Sequence, residues 1–422
     1  MVKQIDIHNF KDREISIKAL LEKSQDVSDK NKSLIFDFVD DVSLKVRIGY
    51  PRRIKLISTL KQLSLKIGKD FDKVTDKELE KVVAKIQSNE DYSAWTISDY
   101  VKILKKFYKW LNEHKGHSFN VDWMNGTIKE KDKPKLKRSD FILEQEAHKL
   151  VEVSETARNK AIFSLIWDCG ARIGELGGMT IKSVHFEDQG TIVDLSGKTG
   201  KRSTFVIEST PHLMNWINLH PLKDNPDAPL WINMGQDPKY KYHPISYRMY
   251  YKMFERTFKK AKIKKKFNPH IFRHSRALWC VQNDWNGVMA NKMFGWGMSS
   301  NMYNYYVSLA TEDLKDKMLD CYGLPNRTKK EVEERKPKEC HRCKAINGKE
   351  ARFCFKCGFV LDMETAKELM KKQELEKELH ADLFKQSIGK AEIKENATIQ
   401  DALFEVLKKD KKLIAKLKEI VS

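Results

Sequence analysis

Six separated residues of this chain are of types that together can break a phosphodiester bond. They are Arg172 in Ala171-Arg-Ile-Gly-Glu-Leu176, Lys198 in Gly197-Lys-Thr-Gly200, His270 and Arg273 in His270-Ile-Phe-Arg273, then Trp296 and Tyr306. Two guanidiniums can hold a phosphate and neutralise the charge that develops as an oxygen attacks it, and fixed donors do this far better than bulk water. A tyrosine phenol, with an ordinary pKa of about 10, attacks poorly at neutral pH unless a neighbour takes its proton. His270 is the candidate acceptor. The departing oxygen needs a proton in turn, and Lys198 is placed to give it. Residues Val193 to Ile207 read as two β-rich arms around a glycine-containing turn, so this lysine would ride a hairpin.

Singly, each motif has a plainer reading. Arg172 and Glu175 at three-residue spacing make a helix-surface ion pair, Gly-Lys-Thr-Gly is a turn, and a tryptophan in an apolar run is core. Order and spacing carry the weight, and from Phe141 to Leu324 the chain resembles the tyrosine recombinases, the integrase family of DNA breaking-and-joining enzymes. The stretch Met302-Tyr-Asn-Tyr-Tyr-Val-Ser-Leu309, continuing to Tyr322-Gly323, looks most like archaeal members, with Ser308 where many relatives carry histidine. The resemblance implies that Arg172, Lys198, His270, Arg273, Trp296 and Tyr306 form the catalytic set. Trp296 would donate its ring N–H to the phosphate where the family has His or Trp. Tyr305 lies nine residues beyond Trp296 and Tyr306 ten, so spacing alone leaves the nucleophile open. The downstream residues match the archaeal pattern without a gap when it is Tyr306.

The implied activity is site-specific recombination through a 3′-phosphotyrosyl link with release of a 5′ hydroxyl. It would serve integration or excision of a mobile element, or resolution of chromosome dimers. Bond energy stays in the covalent link, so neither ATP nor a catalytic metal is expected. The implied partners are double-stranded DNA at a specific site and further copies of the chain, assembled as a tetramer on two duplexes. Two other functions fit parts of the pattern: a type IB-like topoisomerase, which shares the chemistry without a defined site, and a catalytically inactive zinc-containing DNA-binding regulator.

Composition agrees with a polyanionic partner. The net charge is +20, and residues 1–138, 139–325 and 326–422 each carry more Lys and Arg than Asp and Glu, so the excess is not confined to one tail. No apolar run approaches the roughly 20 residues needed to span a bilayer, and the first residues lack a signal-peptide profile. A cytoplasmic, nucleoid-associated protein without a membrane partner is therefore expected. Cys169, Cys280 and Cys321 lie singly in apolar surroundings, which fits a reducing interior. The other four cysteines form two knuckles, Cys340-His-Arg-Cys343 and Cys354-Phe-Lys-Cys357, with ten residues between them. Such spacing lets four thiolates close around Zn²⁺, a structural rather than catalytic site because no position is left for water.

The positioning elements follow from hydrophobic periodicity. Segments within residues 34–39, 54–67 and 96–111 repeat apolar residues every three or four positions, the helical spacing. In the last, Ile97, Val101, Leu104, Tyr108 and Leu111 form a buried stripe, with Lys102, Lys105, Lys106 and Lys109 outward. Lys102, Lys106 and Lys109 are candidate DNA contacts. A helical pattern runs from Leu143 to Trp167, β structure spans about Thr191 to Ile207, and an amphipathic helix follows from Ser246 to Lys262. Its apolar positions are Ile245, Met249, Met253 and Phe258, and its basic stripe of Arg248, Lys252, Arg256 and Lys260 supplies further DNA candidates, Arg248, Lys252 and Arg256 foremost.

The expected fold is multidomain. An all-α core-binding (SAM-like) DNA clamp would occupy residues 1–130, and a charged linker 131–138. A mainly helical α+β catalytic domain with a small β-sheet or hairpin would span 139–325. A linker over 326–338, a zinc ribbon over 339–361 and a helical tail over 362–422, ending in a seam of Leu403, Val406, Leu407, Leu413, Ile414, Leu417, Ile420 and Val421, complete the plan.

Overall fold

The computed structural model describes residues 5–129, 132, 137–197, 200–265, 267–297, 299–309, 318–319, 321–323, 338–348, 351–362, 365, 368 and 371. The expected catalytic Lys198, most of both expected linkers, and nearly all of the expected helical tail with its apolar seam lie outside the described residues.

The chain divides into two compact units, residues 1–141 with 232–254, and residues 142–231 with 255–422. The first holds helices α1 (Phe10–Glu22), α2 (Asp29–Val46), α3 (Tyr50–Ile67), α4 (Asp76–Gln87) and α5 (Ala94–Lys115). Local chemistry sets their ends. Ser28 and Ser93 accept from the third backbone N–H of the helices they precede, Thr75 and Glu78 form a reciprocal capping box, and Gly68 and Gly116 end α3 and α5 in the left-handed conformation. The core is aromatic at its centre: Phe107 meets Phe38 and Phe71 edge-on at 5.2 and 4.7 Å between ring centres. On α5 the buried stripe is wider than the sequence pattern suggests, since Ile103, Phe107 and Trp110 are buried as well. Residues 232–254 belong to this unit through contacts such as the Tyr247 N–H donating to the Ile7 carbonyl at 2.8 Å.

In the second unit the pattern from Leu143 to Trp167 resolves into two helices, α6 (Glu144–Glu152) and α7 (Ala157–Cys169). The break is local: Thr156 caps α7 by accepting from the Asn159 N–H at 3.2 Å. From Ala161 to Cys169 every residue of α7 is buried, including Asp168, so this helix is enclosed on all sides. Packed around it are α6, α9 (Thr210–Asn218), α11 (Ile271–Gln282) and strand β3 (Gly200–Val206). Short helix α8 (Ile173–Gly177) follows α7 after Gly170, and the sheet then forms from β1 (Val184–Glu187), β2 (Gly190–Gly197) and β3, antiparallel in the order β1-β2-β3. The first strand was not evident in the sequence. Gly197 pairs with Gly200, which has φ +100°, so a two-residue connection joins β2 and β3.

Helix α10 (Tyr247–Lys260) leads towards α11, then come α12 (Gly287–Phe294) and α13 (Met302–Leu309). The buried face of α10 is Tyr250, Phe254, Thr257 and Phe258, not Met249 and Met253: Met249 is exposed and Met253 only half-buried. The aromatic rings bury more apolar surface than the methionines and win the inward positions. Beyond them, β4 (Lys338–Glu339) and β5 (Ile346–Asn347) form a two-stranded ribbon holding the four clustered cysteines. It rests on the three-stranded sheet, where the Asp188 carbonyl in the β1–β2 turn accepts from the Ile346 N–H at 3.3 Å and the Asp188 carboxylate pairs with Lys356 at 2.6 Å.

Candidate active site

Four elements of the second unit converge on one cluster. Arg172 precedes α8, and its guanidinium donates to Glu175 at 2.6 Å while its backbone N–H donates to the other carboxylate oxygen at 2.9 Å. Glu175 is only 1% exposed and also holds Arg202 of β3 at 2.9 Å, so the pair read as a surface ion pair is a buried bridge between helix and hairpin. Burial pushes the Glu175 carboxyl up, but the Arg202 and Arg172 guanidiniums outweigh it and hold it below the usual carboxylate range. Gly197 is needed beside it, because a Cβ there would lie 2.7 Å from the Glu175 side chain.

Arg273, on α11, is buried and donates to the Gly170 carbonyl at 3.1 Å and to the Phe294 carbonyl. Its guanidinium lies over the Phe294 and Trp296 rings, 5.2 and 5.4 Å from their centres. Burial first, then the nearby Arg172, lowers its pKa to about 9. Two cations close enough to disfavour one another form a place for an anion. At the exposed edge, His270 has its pKa lowered by packing around the ring, then by Arg273 and Arg172, so it sits as a neutral ring beside the two cations.

Tyr306, on α13, is 1% exposed, and its ring stacks on Trp296 at 5.8 Å with 11° between planes. Its hydroxyl meets His274 Nδ1 at 2.5 Å. Burial pushes the phenol above its ordinary pKa against the pull of Arg273, and lowers His274 to about 4 with help from His270 and Arg273. His274 escaped sequence reasoning, although it lies one turn beyond His270 on the same helix face, as their rings 4.6 Å apart attest. Arg202 was missed too. Its signal is the strand alternation, since Arg202 pairs with Leu195, a buried position of β2.

The other expected site residues lie elsewhere. Lys102, Lys106 and Lys109 are exposed along α5, but Lys109 pairs with Asp122 at 3.0 Å, while Lys105 turns to the Asp122 and Met124 carbonyls at 2.9 and 3.0 Å. Arg248, Lys252 and Arg256 are exposed on one stripe of α10. Cys340, Cys343, Cys354 and Cys357 bring their sulfurs within 4.8 Å of one another, with Cys340–Cys357 at 3.6 Å and Cys343–Cys354 at 3.5 Å. Zinc–sulfur bonds of about 2.3 Å set tetrahedral edges of about 3.8 Å, so the quartet fits a metal. Cys169 and Cys280 are buried as expected, whereas Cys321 is exposed. No helix among the described residues is long and apolar enough to cross a membrane.

Residues 140–313 match the model of the phage integrase family. The chain is 24% identical over 264 residues to the tyrosine recombinase XerA of Pyrococcus horikoshii, covering 61% of this chain and 86% of that protein. With XerA of Saccharolobus solfataricus it shares 23% identity over 280 residues, 63% of this chain and 85% of the relative. Among solved structures it is similar to a lambda integrase dimer bound to a COC′ core site, with TM-score 0.51, 14% identity, and coverage of 66% of this chain and 77% of that one. It is also similar to the Tn1549 transposon integrase in complex with transposon right end DNA, with TM-score 0.51, 17% identity, and coverage of 68% and 99%. At these identities the solved structures establish a shared fold.

Proposed function

We propose that this chain is a tyrosine recombinase, an enzyme of site-specific DNA recombination, and that it cuts one strand at a defined site by attack of Tyr306 on a phosphate held between Arg172 and Arg273. The observation that carries the reading is the placing of the Tyr306 phenol and its histidine partner beside Arg273, whose guanidinium lies over the same Trp296 ring on which Tyr306 stacks. The attacking oxygen would form a 3′-phosphotyrosyl link and the 5′ oxygen would leave as a hydroxyl. An incoming strand's 5′ hydroxyl then reverses the step, without ATP. Trp296 stacks on the nucleophile's ring and supports its position, His270, expected from the sequence to take the phenol's proton, instead adds a donor at the exposed edge, and Lys198 protonates the leaving oxygen. The relatives are recombinases, so neither a topoisomerase nor an inactive regulator is favoured.

DNA contact would come from residues 1–130 as a clamp and from Arg248, Lys252 and Arg256, cations that bind phosphate without reading bases. Lys102 and Lys106 are better placed than Lys109, whose charge is already paired. Exchange between two duplexes requires four active sites, hence the tetramer. Mapping the DNA ends that the full chain traps covalently on host DNA tests the whole reading. A single recurrent sequence is expected; scattered ends with relaxation of any supercoiled plasmid would transfer the assignment to a topoisomerase.

Lys198→Ala should slow cleavage of an ordinary phosphodiester by about a hundredfold to a thousandfold and barely affect a substrate with a 5′-bridging sulfur, because a thiolate leaves without the proton of a general acid. Equal slowing of both substrates would make Lys198 a phosphate ligand and Lys201 the candidate acid.

The four cysteines would hold one structural Zn²⁺, which supplies a closed tetrahedral crosslink to a module with little core of its own. The purified chain should carry one zinc per molecule, and stripping it should unfold residues 340–358 while cleavage stays within a few-fold. Complete loss of adduct formation on chelation, restored by zinc, would instead tie the metal to the chemical step.

A further inference from the structure

We infer that His274 is a catalytic residue, the group that takes the Tyr306 proton during cleavage and returns it during rejoining. The inference rests on the recombinase reading above and deepens it. Its ground is geometric: the His274 Nδ1 and the Tyr306 hydroxyl are 2.5 Å apart, in an enclosed site where the phenol is buried and its ring is fixed against Trp296. A general base has to be within hydrogen-bond reach of the proton it removes. His274 meets that condition, and it is half-buried among packed side chains, which shields it from competing water.

The charged and titratable groups around His274 decide when the transfer can occur. His270 and Arg273 face it from its own helix and Tyr306 from α13. Burial first, then His270 and Arg273, keeps the imidazole neutral at pH 7, so Nδ1 is free to accept, but also makes it a weak base in the DNA-free chain. The phenol, raised by burial, holds its proton firmly. Transfer is therefore uphill until a phosphate enters beside Arg172 and Arg273, offsets their positive charge, and lets an imidazolium form.

The proton and bonds balance as follows. The Tyr306 oxygen bonds to phosphorus as its proton passes to His274 Nδ1, the bond from phosphorus to the 5′ oxygen breaks, and that oxygen takes a proton from the acid. In rejoining, the 5′ hydroxyl attacks phosphorus and returns its proton to that acid, while the departing Tyr306 oxygen recovers its own from the His274 imidazolium. No outside oxidant, reductant or base takes part.

The test is single-turnover adduct formation by the full chain on a nicked suicide duplex carrying the mapped target site, between pH 6 and 9, for wild type, His274→Gln and His274→Ala. Wild type should be nearly level from pH 6.5 to 8, while both variants are about a hundredfold slower at pH 7 and regain roughly tenfold per pH unit as hydroxide replaces the base. Added imidazole should restore the His274→Ala rate, which no packing role explains. Circular dichroism and binding of the same duplex verify folding, and should one variant not fold, the other carries the comparison. An equal defect at every pH without imidazole rescue, or no defect in a folded variant, would sink the role of His274. A wild-type chain that forms no adduct at all overturns the recombinase reading instead, so the two failures are distinct.

Discussion

Tyr306→Phe should abolish covalent attachment to DNA, whereas Tyr305→Phe and Tyr303→Phe should keep it. Removing the phenol oxygen would remove the atom proposed to bond to phosphorus, so adduct on a nicked suicide duplex should fall at least about a thousandfold, to background. The neighbours are committed differently. The Tyr303 hydroxyl donates to the Trp285 carbonyl, and its ring fills the space over Gly287, where a Cβ would sit 3.1 Å away. Losing that hydrogen bond should cost roughly 1 kcal/mol of stability and leave chemistry intact. Tyr305 is half-buried and stands edge-on to Tyr306 at 5.4 Å, about 100° round the helix from it, as successive residues must be. Adduct that survives in Tyr306→Phe and vanishes in Tyr305→Phe would exchange their roles. Adduct surviving in all three variants would remove tyrosine chemistry altogether.

The largest expected effect on stability is at Asp168→Ala. Its carboxylate, 4% exposed, accepts from the Ile207 and Ser209 N–H groups, the Ser209 hydroxyl and Arg276, at 3.0 to 3.2 Å. One side chain thus ties the end of α7 to the exit of β3 and to α11. Arg276 is itself buried, with its guanidinium 3.9 Å from the Trp279 ring centre and two of its nitrogens without a hydrogen-bond partner. Taking away its anion leaves a buried charge uncompensated, which costs about 3 to 5 kcal/mol. The melting temperature of this unit should fall on the order of 10 °C. A double variant, Asp168→Ala with Arg276→Met, should recover part of the loss, because the stranded charge goes too. Thermal melts decide it: if the double variant is less stable than Asp168→Ala, the buried charge is not the cause.

What the sequence made legible, and what it hid, divides along physical lines. Helices with long amphipathic repeats could be read directly, as α5 shows, because 3.6-residue periodicity is a local property. The expected site residues on separate elements could be picked out by type and order, and Arg172, His270, Arg273, Trp296 and Tyr306 do lie in the second unit around one cluster. Partnerships were harder. Glu175 looks like the far half of a surface pair until β3 folds over it and Arg202 arrives. His274 looks like a neighbour of a motif residue until α13 brings Tyr306 to it. On α10, pattern favoured the methionines, while volume put Tyr250 and Phe254 inside. β1 is four residues long and alternates only between half-buried and exposed positions, too weak a signal for a strand that exists through its pairing with β2.

Among the described residues, the polar contacts that seat the cysteine ribbon on the β1–β2 turn are one exposed ion pair and one backbone hydrogen bond. Between separate molecules, contacts worth about 1 kcal/mol each would scarcely populate a complex. Here both partners belong to one chain, and tethering gives the turn an effective local concentration of ribbon on the order of millimolar. Two such contacts alone correspond to a dissociation constant of about 30 mM, so tethering must be joined by packing, such as that of Gly348 near Pro211, for the seat to stay filled. A ribbon carried on a separate polypeptide, with every contact atom unchanged, would leave the turn mostly bare.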